Sequence, residues 1–199
     1  MNKIIPFNKP YLREDVLNFV NKVYKSDKHS GNGLFTLKVN SFFKKKYNIN
    51  KSHLTTSCTD ALEMAALLID VKPGDEIILP SYTFVSTANA FALRGAKLVF
   101  CDSESNFPNI DSNQIEKLIT NKTKAIVVVH YAGFACDMEK VVSIAKENNL
   151  FLIEDAAQAI DNYYIDKLGN KIPLGTIGDL GTMSFHETKN ISCGEGGLL

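Results

Sequence analysis

Residues 125–158, AIVVVHYAGFACDMEKVVSIAKENNLFLIEDAAQ, carry the pattern that decides the fold. Two short apolar runs, 125–129 and 150–153, read as strands. The segment 138–148 between them has apolar residues at helical spacing. Strands that alternate with helical stretches are typical of βαβ units, so this stretch predicts an α/β fold with a mostly parallel sheet.

The same alternation extends to both sides of this stretch. Further strands are predicted at 76–79, 97–101 and 181–185, and further helices at 60–68 and 85–93. A short apolar strand before Thr55 and the final run 197–199 bring the strand candidates to seven. Two amphipathic helices open the chain, with apolar residues at Val16, Phe19, Val20 and Val23, and again at Phe35, Val39, Phe42 and Phe43.

Composition argues for one substantial domain and against several classes of partner. The chain has 199 residues, 45% of them hydrophobic, with 22 basic and 22 acidic side chains, so no net field favours nucleic acid or an anionic membrane. No segment resembles a signal peptide or a membrane span, which predicts a soluble, cytoplasmic protein. The four cysteines form no CxxC pair, and His186 has no partner at ligand spacing, so neither a metal site nor a disulfide framework is expected.

Three stretches contain residues suited to chemistry. TTSCTD, 55–60, places small hydroxylic residues where a helix begins, and there Ser57 and Thr59 could help to bind a phosphate or could simply form an N-cap. In 150–158 an apolar strand runs into Glu154 and Asp155, which could face a ligand crevice or merely solvate a strand end or cap a helix. Lys189 follows a strand and precedes a glycine cluster, where burial would make it a usable amine, although most loop lysines are solvated charges.

Together these stretches resemble a family. PSYTFVSTANAFALRGAKLVF (80–100), VHYAG (129–133), EDAAQ (154–158), SFHETKN (184–190) and CGEGG (193–197) are similar to the DegT-type nucleotide-sugar aminotransferases, which are fold-type I pyridoxal-phosphate enzymes. The resemblance implies a three-layer α/β/α large domain with a seven-stranded sheet. It also implies a pyridoxal 5'-phosphate cofactor, glutamate as amino donor and a dTDP-keto-sugar as acceptor, with amination at C4, and a homodimer when full length.

The resemblance also assigns roles to individual residues. Lys189 matches the lysine that binds the cofactor aldehyde and moves the proton, and Asp155 matches the partner of the ring nitrogen. Gln158 falls beside the phenolic oxygen and Phe84 on the face of the ring. The cofactor phosphate is expected to be bound by Ser57, Cys58, Thr59 and Ser184.

Three departures from the family pattern stand out. Cys58 occupies a position where the family often has glycine, and residues 163–173 read as a surface insertion. Family members carry a second, C-terminal domain, so residues 1–199 are expected to be a large domain truncated in its last strand. The alternatives are a truncated non-catalytic product, a 3-keto-sugar aminotransferase and a sugar dehydratase of the same fold. Lys189 argues against the dehydratase, and the lack of GxGxxG argues against a Rossmann dehydrogenase.

Overall fold

The computed structural model describes residues 4–6, 8–11 and 13–199. The helices are α1 Val16–Tyr24, α2 Leu34–Tyr47, α3 Cys58–Leu68, α4 Val85–Ala92, α5 Ile115–Leu118 and α6 Met138–Glu147. The strands are β1 Leu54–Thr55, β2 Glu76–Pro80, β3 Lys97–Cys101, β4 Ser103–Glu104, β5 Phe107–Ile110, β6 Thr123–Val129, β7 Phe151–Asp155, β8 Tyr163–Ile165, β9 Lys171–Pro173, β10 Leu180–Ser184 and β11 Gly197–Leu198. A 3₁₀ turn covers Tyr131–Gly133.

A seven-stranded sheet organises the domain, in the order β1-β11-β10-β7-β6-β2-β3. The five strands from β10 to β3 are parallel, whereas β11 is antiparallel to both β10 and β1. The prediction of a mostly parallel seven-stranded sheet is confirmed. The run at 197–199, expected as a strand cut short, lies inside the sheet because β11 is paired on both sides.

Alternation along the central strands builds two apolar layers, one on each face of the sheet. On β6, Ala125 and Val127 pack with α3 and α4 residues, while Ile126 and Val128 pack with α6 residues. Successive side chains of a strand point to opposite faces, so this uninterrupted apolar run is buried on both sides. The result is the expected three-layer α/β/α arrangement.

The two N-terminal helices differ in how they are packed. Phe43 and Tyr47 of α2 are buried against a third apolar cluster that includes Phe185 and Leu198. By contrast, α1 has no buried residue, and Phe19 and Val20 on its apolar face stay largely exposed. Both predicted helices are therefore present, but only α2 is anchored to the core by buried side chains.

The segment expected as a surface insertion is an ordered hairpin. Strands β8 and β9 pair antiparallel, with Tyr163 opposite Pro173 and Ile165 opposite Lys171. Asp166 closes the turn, since its carboxylate accepts hydrogen bonds from the backbone of Leu168 and Asn170. No helix within the described ranges is long and apolar enough to cross a membrane.

Candidate functional site

A cavity of about 520 Å³ opens beside the carboxyl ends of β7 and β10 and the N-terminus of α3. In open α/β sheets this is the position of the ligand crevice. The structure brings every site residue predicted from the sequence to its wall, namely Ser57, Cys58, Thr59, Phe84, Asp155, Gln158, Ser184 and Lys189. Their individual roles stay predictions, but their spatial convergence is a property of the fold.

The N-terminus of α3 forms one wall of the cavity. Ser57 is the N-cap residue, and its hydroxyl accepts a hydrogen bond of 3.1 Å from the amide of Asp60. The ordinary N-cap reading is therefore correct for the Ser57 side chain. No described residue accepts a hydrogen bond from the amides of Cys58 and Thr59, and unpaired amides at the positive end of a helix dipole suit an anion.

Gly197 fixes the position of this helix start. Its backbone passes so close to α3 that an added Cβ would lie 2.4 Å from the carbonyl of Ser57 and 2.6 Å from the amide of Cys58. Both contacts are to backbone, which cannot rotate away as a side chain could. The glycine cluster thus permits close approach of two backbones, that of β11 and that of the N-terminus of α3.

We expect Gly197→Ala to displace the N-terminus of α3 and weaken phosphate binding there. Forcing an extra carbon into a packed site costs about 1–3 kcal/mol, which should lower the thermal unfolding midpoint. Retention of pyridoxal phosphate, measured by dialysis and absorbance, should fall as well. Gly31→Ala is the control, because a Cβ at Gly31 meets no atom within 4 Å. Equal midpoints and equal retention in both variants would contradict the role of Gly197.

Asp155 is a buried carboxylate at the end of β7. Its oxygens accept hydrogen bonds from the Thr87 hydroxyl, at 2.7 Å, and from the amide of Ala157, at 3.1 Å. Burial raises its pKa, and those two hydrogen bonds and the charge of Lys189 only partly oppose the rise. An acid in this state is ionised most readily when a cation approaches it through the cavity.

Two hydroxyls on α4 and the preceding loop connect Asp155 to the cavity wall. Thr87 is fully buried, and its Oγ1 lies 2.8 Å from Oγ1 of Thr83, which lines the cavity. An ionised carboxylate only accepts, so Thr87 must then donate to Asp155 and accept from Thr83. This chain fixes the orientation of the carboxylate.

The neighbouring acid, Glu154, is fully buried and points to the other face of the sheet. It accepts hydrogen bonds from three loop amides, of Gly175, Ile177 and Gly178, and from Nε2 of His130. His130 accepts from the Cys136 amide at Nδ1, which places the ring proton on Nε2. The alternative in which the two acids merely solvate a strand end is wrong, because Glu154 and Asp155 are both buried and four donors hold Glu154 inside the domain.

Lys189 lies half-buried in the loop after β10. The backbone carbonyl of His186 accepts from its amide at 2.9 Å, which closes a tight turn. The adjacent Asn190 ties the loop to the body of the domain by donating to the carbonyl of Ile160 at 3.1 Å. The Lys189 ammonium is close enough to Cys58 and Asp155 to lower the pKa of both groups. Burial raises both pKa values by more than the Lys189 charge lowers them.

Three of the predicted residues have defined local environments. Gln158 accepts at Oε1 from the amide of Ala132, so its amide group is left to donate. Phe84 is the N-cap residue of α4 and is 72% exposed, which leaves its ring face open to a ligand. Burial raises the pKa of the Cys58 thiol to about 12, so Cys58 serves as a small neutral side chain.

The sequence did not single out several further residues of the wall. Thr83 and Ser86 line the cavity, and Ser86 accepts a hydrogen bond of 2.8 Å from Thr59, which joins α3 to α4. Behind the wall, the buried Thr87 donates to Asp155. The hydroxyls one helical turn apart at Thr83 and Thr87 were the available signal. Over the described part of the chain, no group of three His, Cys, Asp or Glu side chains could hold a metal ion.

Comparison with known proteins places this geometry in context. The profile of the DegT/DnrJ/EryC1/StrS aminotransferase family matches residues 10–199. The chain is 37% identical to GDP-perosamine synthase of Escherichia coli O157:H7 over 197 residues, which cover 99% of this chain and 53% of that protein. It thus spans about half the length of this curated relative.

Solved structures give the same result. The putative sugar aminotransferase Spr1654 of Streptococcus pneumoniae, in its PLP form, superposes with a TM-score of 0.89 at 28% identity over 98% of this chain and 52% of that chain. Helicobacter pylori PseC, an aminotransferase involved in the biosynthesis of pseudoaminic acid, gives a TM-score of 0.88 at 28% identity with the same coverage.

Proposed function

Because the chain belongs to the DegT/DnrJ/EryC1/StrS aminotransferase family, we propose that it is the cofactor-binding domain of a pyridoxal-phosphate-dependent sugar aminotransferase. The observation that carries the proposal is the convergence of Lys189, Asp155 and the N-terminus of α3 on one cavity. The chain spans about half the length of these relatives, and we further propose that a second domain completes the enzyme. From the family resemblance we also propose that the full-length enzyme is a homodimer.

The residues present fit pyridoxal phosphate. The buried carboxylate of Asp155 has no cation within salt-bridge distance among the described residues, as expected if it awaits a protonated ring nitrogen. The unpaired amides of Cys58 and Thr59 and the hydroxyl of Ser184 suit the phosphate. When bound, the cofactor supplies an electron sink for the carbon that loses a proton.

Each side chain then has a definite task. Lys189 holds the cofactor through Nζ and afterwards takes and returns the substrate proton at that atom. Asp155 keeps the ring nitrogen protonated, while the Thr83–Thr87 chain orients its carboxylate. The amide group of Gln158, which is left to donate, would bind the phenolic oxygen, and the exposed ring of Phe84 would cover the face of the cofactor ring.

For the substrates we propose glutamate as amino donor and dTDP-4-dehydro-6-deoxy-D-glucose as acceptor, giving dTDP-4-amino-4,6-dideoxy-D-galactose. The product is that of dTDP-4-amino-4,6-dideoxygalactose transaminase, and the support for amination at C4 is the resemblance of the stretch HETKN, 186–190. One relative is named as a GDP-perosamine synthase, so the experiment must also establish which nucleotide the sugar carries.

The test is an assay of the cofactor-loaded, full-length protein with glutamate and a panel of dTDP-, GDP- and UDP-keto-sugars. We expect a product heavier by one amino-for-oxo exchange, with NMR placing nitrogen at C4. If product forms only with a GDP-linked sugar, or if NMR places the nitrogen at C3, the acceptor is a different keto-sugar nucleotide from the one proposed. Loss of water without gain of nitrogen would indicate a dehydratase, and no change with any acceptor would overturn the proposal.

A further inference from the structure

A second cavity, of about 470 Å³, adjoins the first and is lined by no residue of α3. It shares Gln158, Thr188 and Lys189 with the larger cavity, so Lys189 lines both. Its other polar side chains are three asparagines, from distant parts of the sequence: Asn8, Asn162 and Asn190.

Each asparagine is anchored to backbone by the same half of its amide. The side-chain nitrogens of Asn8, Asn162 and Asn190 donate to the carbonyls of Glu187, Gly133 and Ile160, at 3.1, 2.8 and 3.1 Å respectively. A carbonyl oxygen can only accept, so the NH₂ group must face it and Oδ1 must point the other way. Among the residues the structure describes, none donates to these three Oδ1 atoms.

The three asparagines therefore present neutral hydrogen-bond acceptors of fixed orientation, beside the amine of Lys189 and the amide group of Gln158. Acceptors of this kind bind O–H groups, and they offer nothing to a phosphate or a carboxylate, which would face oxygen with oxygen. Among the residues that the structure describes, Lys189 is the only cationic side chain that lines the cavity. A ligand that is rich in hydroxyl groups and uncharged is the chemistry that fits.

We infer, on the basis of the proposed function, that this cavity holds the hexose ring of the sugar nucleotide, with ring hydroxyls donating to Asn8, Asn162 and Asn190. The diphosphate then lies outside the cavity. The two carboxylates of glutamate are excluded from the same acceptors, so the asparagines act on the sugar half of the reaction and not on the glutamate half.

The test measures the two halves separately in the cofactor-loaded, full-length protein. The glutamate half is followed by the change in cofactor absorbance, and binding of the keto-sugar nucleotide and of the matching nucleoside diphosphate is measured by calorimetry. For Asn8→Ala and Asn162→Ala we expect sugar-nucleotide binding to weaken about tenfold, the value of one hydrogen bond. Binding of the nucleoside diphosphate and the rate of the glutamate half should change less than about twofold.

Asn148→Ala is the matched control. Asn148 also donates to a backbone carbonyl, that of Ile144 at 2.9 Å, but it lines neither cavity. We expect this variant to bind the sugar nucleotide as the unmodified protein does. Should Asn162→Ala fail to fold, because its side chain supports the turn at Gly133, Asn8→Ala decides the question by itself.

Two outcomes would overturn the inference while leaving the proposed function intact. In the first, the unmodified protein aminates the sugar and the asparagine variants bind sugar nucleotide normally. In the second, both halves of the reaction slow equally, which would show that the asparagines only support the Lys189 loop. If the unmodified protein shows no glutamate-dependent absorbance change and aminates no sugar, the proposed function fails and this inference fails with it.

Discussion

Replacing Lys189 with alanine should abolish amino transfer and the covalent link between cofactor and protein. Proton transfer by a positioned side chain is worth roughly 10²–10⁴-fold in rate, and Lys189 is the amine beside Asp155 in the cavity. Phosphate binding should survive, because the amides at the start of α3 are untouched. Turnover and absorbance of the reconstituted variant measure both effects.

Borohydride reduction followed by peptide mapping identifies the linked residue directly. In the unmodified protein we expect the reduced cofactor on Lys189. Lys171→Ala is the control, because Lys171 is exposed on β9, away from both cavities. A label on any other lysine, or full turnover of the Lys189 variant, would show that the central assignment is wrong.

Asp155→Asn should lower turnover far more than it lowers cofactor retention. The substitution keeps the shape of the side chain but removes the charge that we propose pairs with the ring nitrogen. Removing one partner of a buried ion pair costs about 3–5 kcal/mol, whereas the phosphate is proposed to bind at the N-terminus of α3, away from the substitution. Turnover and equilibrium dialysis of the cofactor give the two quantities.

Thr87→Val separates the charge of Asp155 from its orientation. It deletes the hydrogen bond to the carboxylate while leaving the carboxylate itself, so we expect turnover to fall by about tenfold or less. A rate near that of the unmodified protein for Asp155→Asn would exclude the proposed partner of the ring nitrogen. Equal losses of turnover and of cofactor retention in Asp155→Asn would indicate that the substitution disrupts the structure of the whole site.

Local patterns predicted the fold well where both faces of a strand are buried. The run 125–129 could be read as a strand because its side chains fill both apolar layers. The strand at 150–153 was ended too early, since β7 runs to Asp155. A charged side chain usually marks the end of a buried strand, but Glu154 stays inside because three amides and His130 surround it.

The site was predictable only as far as its residues follow strands or begin helices. Asp155 and Lys189 follow predicted strands by two and four residues, so their neighbourhood in the sequence indicates that they lie near the carboxyl edge of the sheet. Asn8 and Asn162 carry no such signal, because only the folded chain brings them to one wall. The hairpin of β8 and β9 was missed because three-residue strands are too short to show alternation.

The position of β11 has a consequence for when the site can form. Leu54 pairs with Leu198, and Gly197 packs on the start of α3, so the loop before α3, where we propose that the cofactor phosphate binds, is completed by residues near residue 199. Contacts between distant parts of a sequence form slowly. During synthesis α3 and β2 could assemble early, but the loop before α3 would stay incomplete until residue 198 had emerged from the ribosome. Cofactor capture should therefore follow translation of the whole segment and not accompany it.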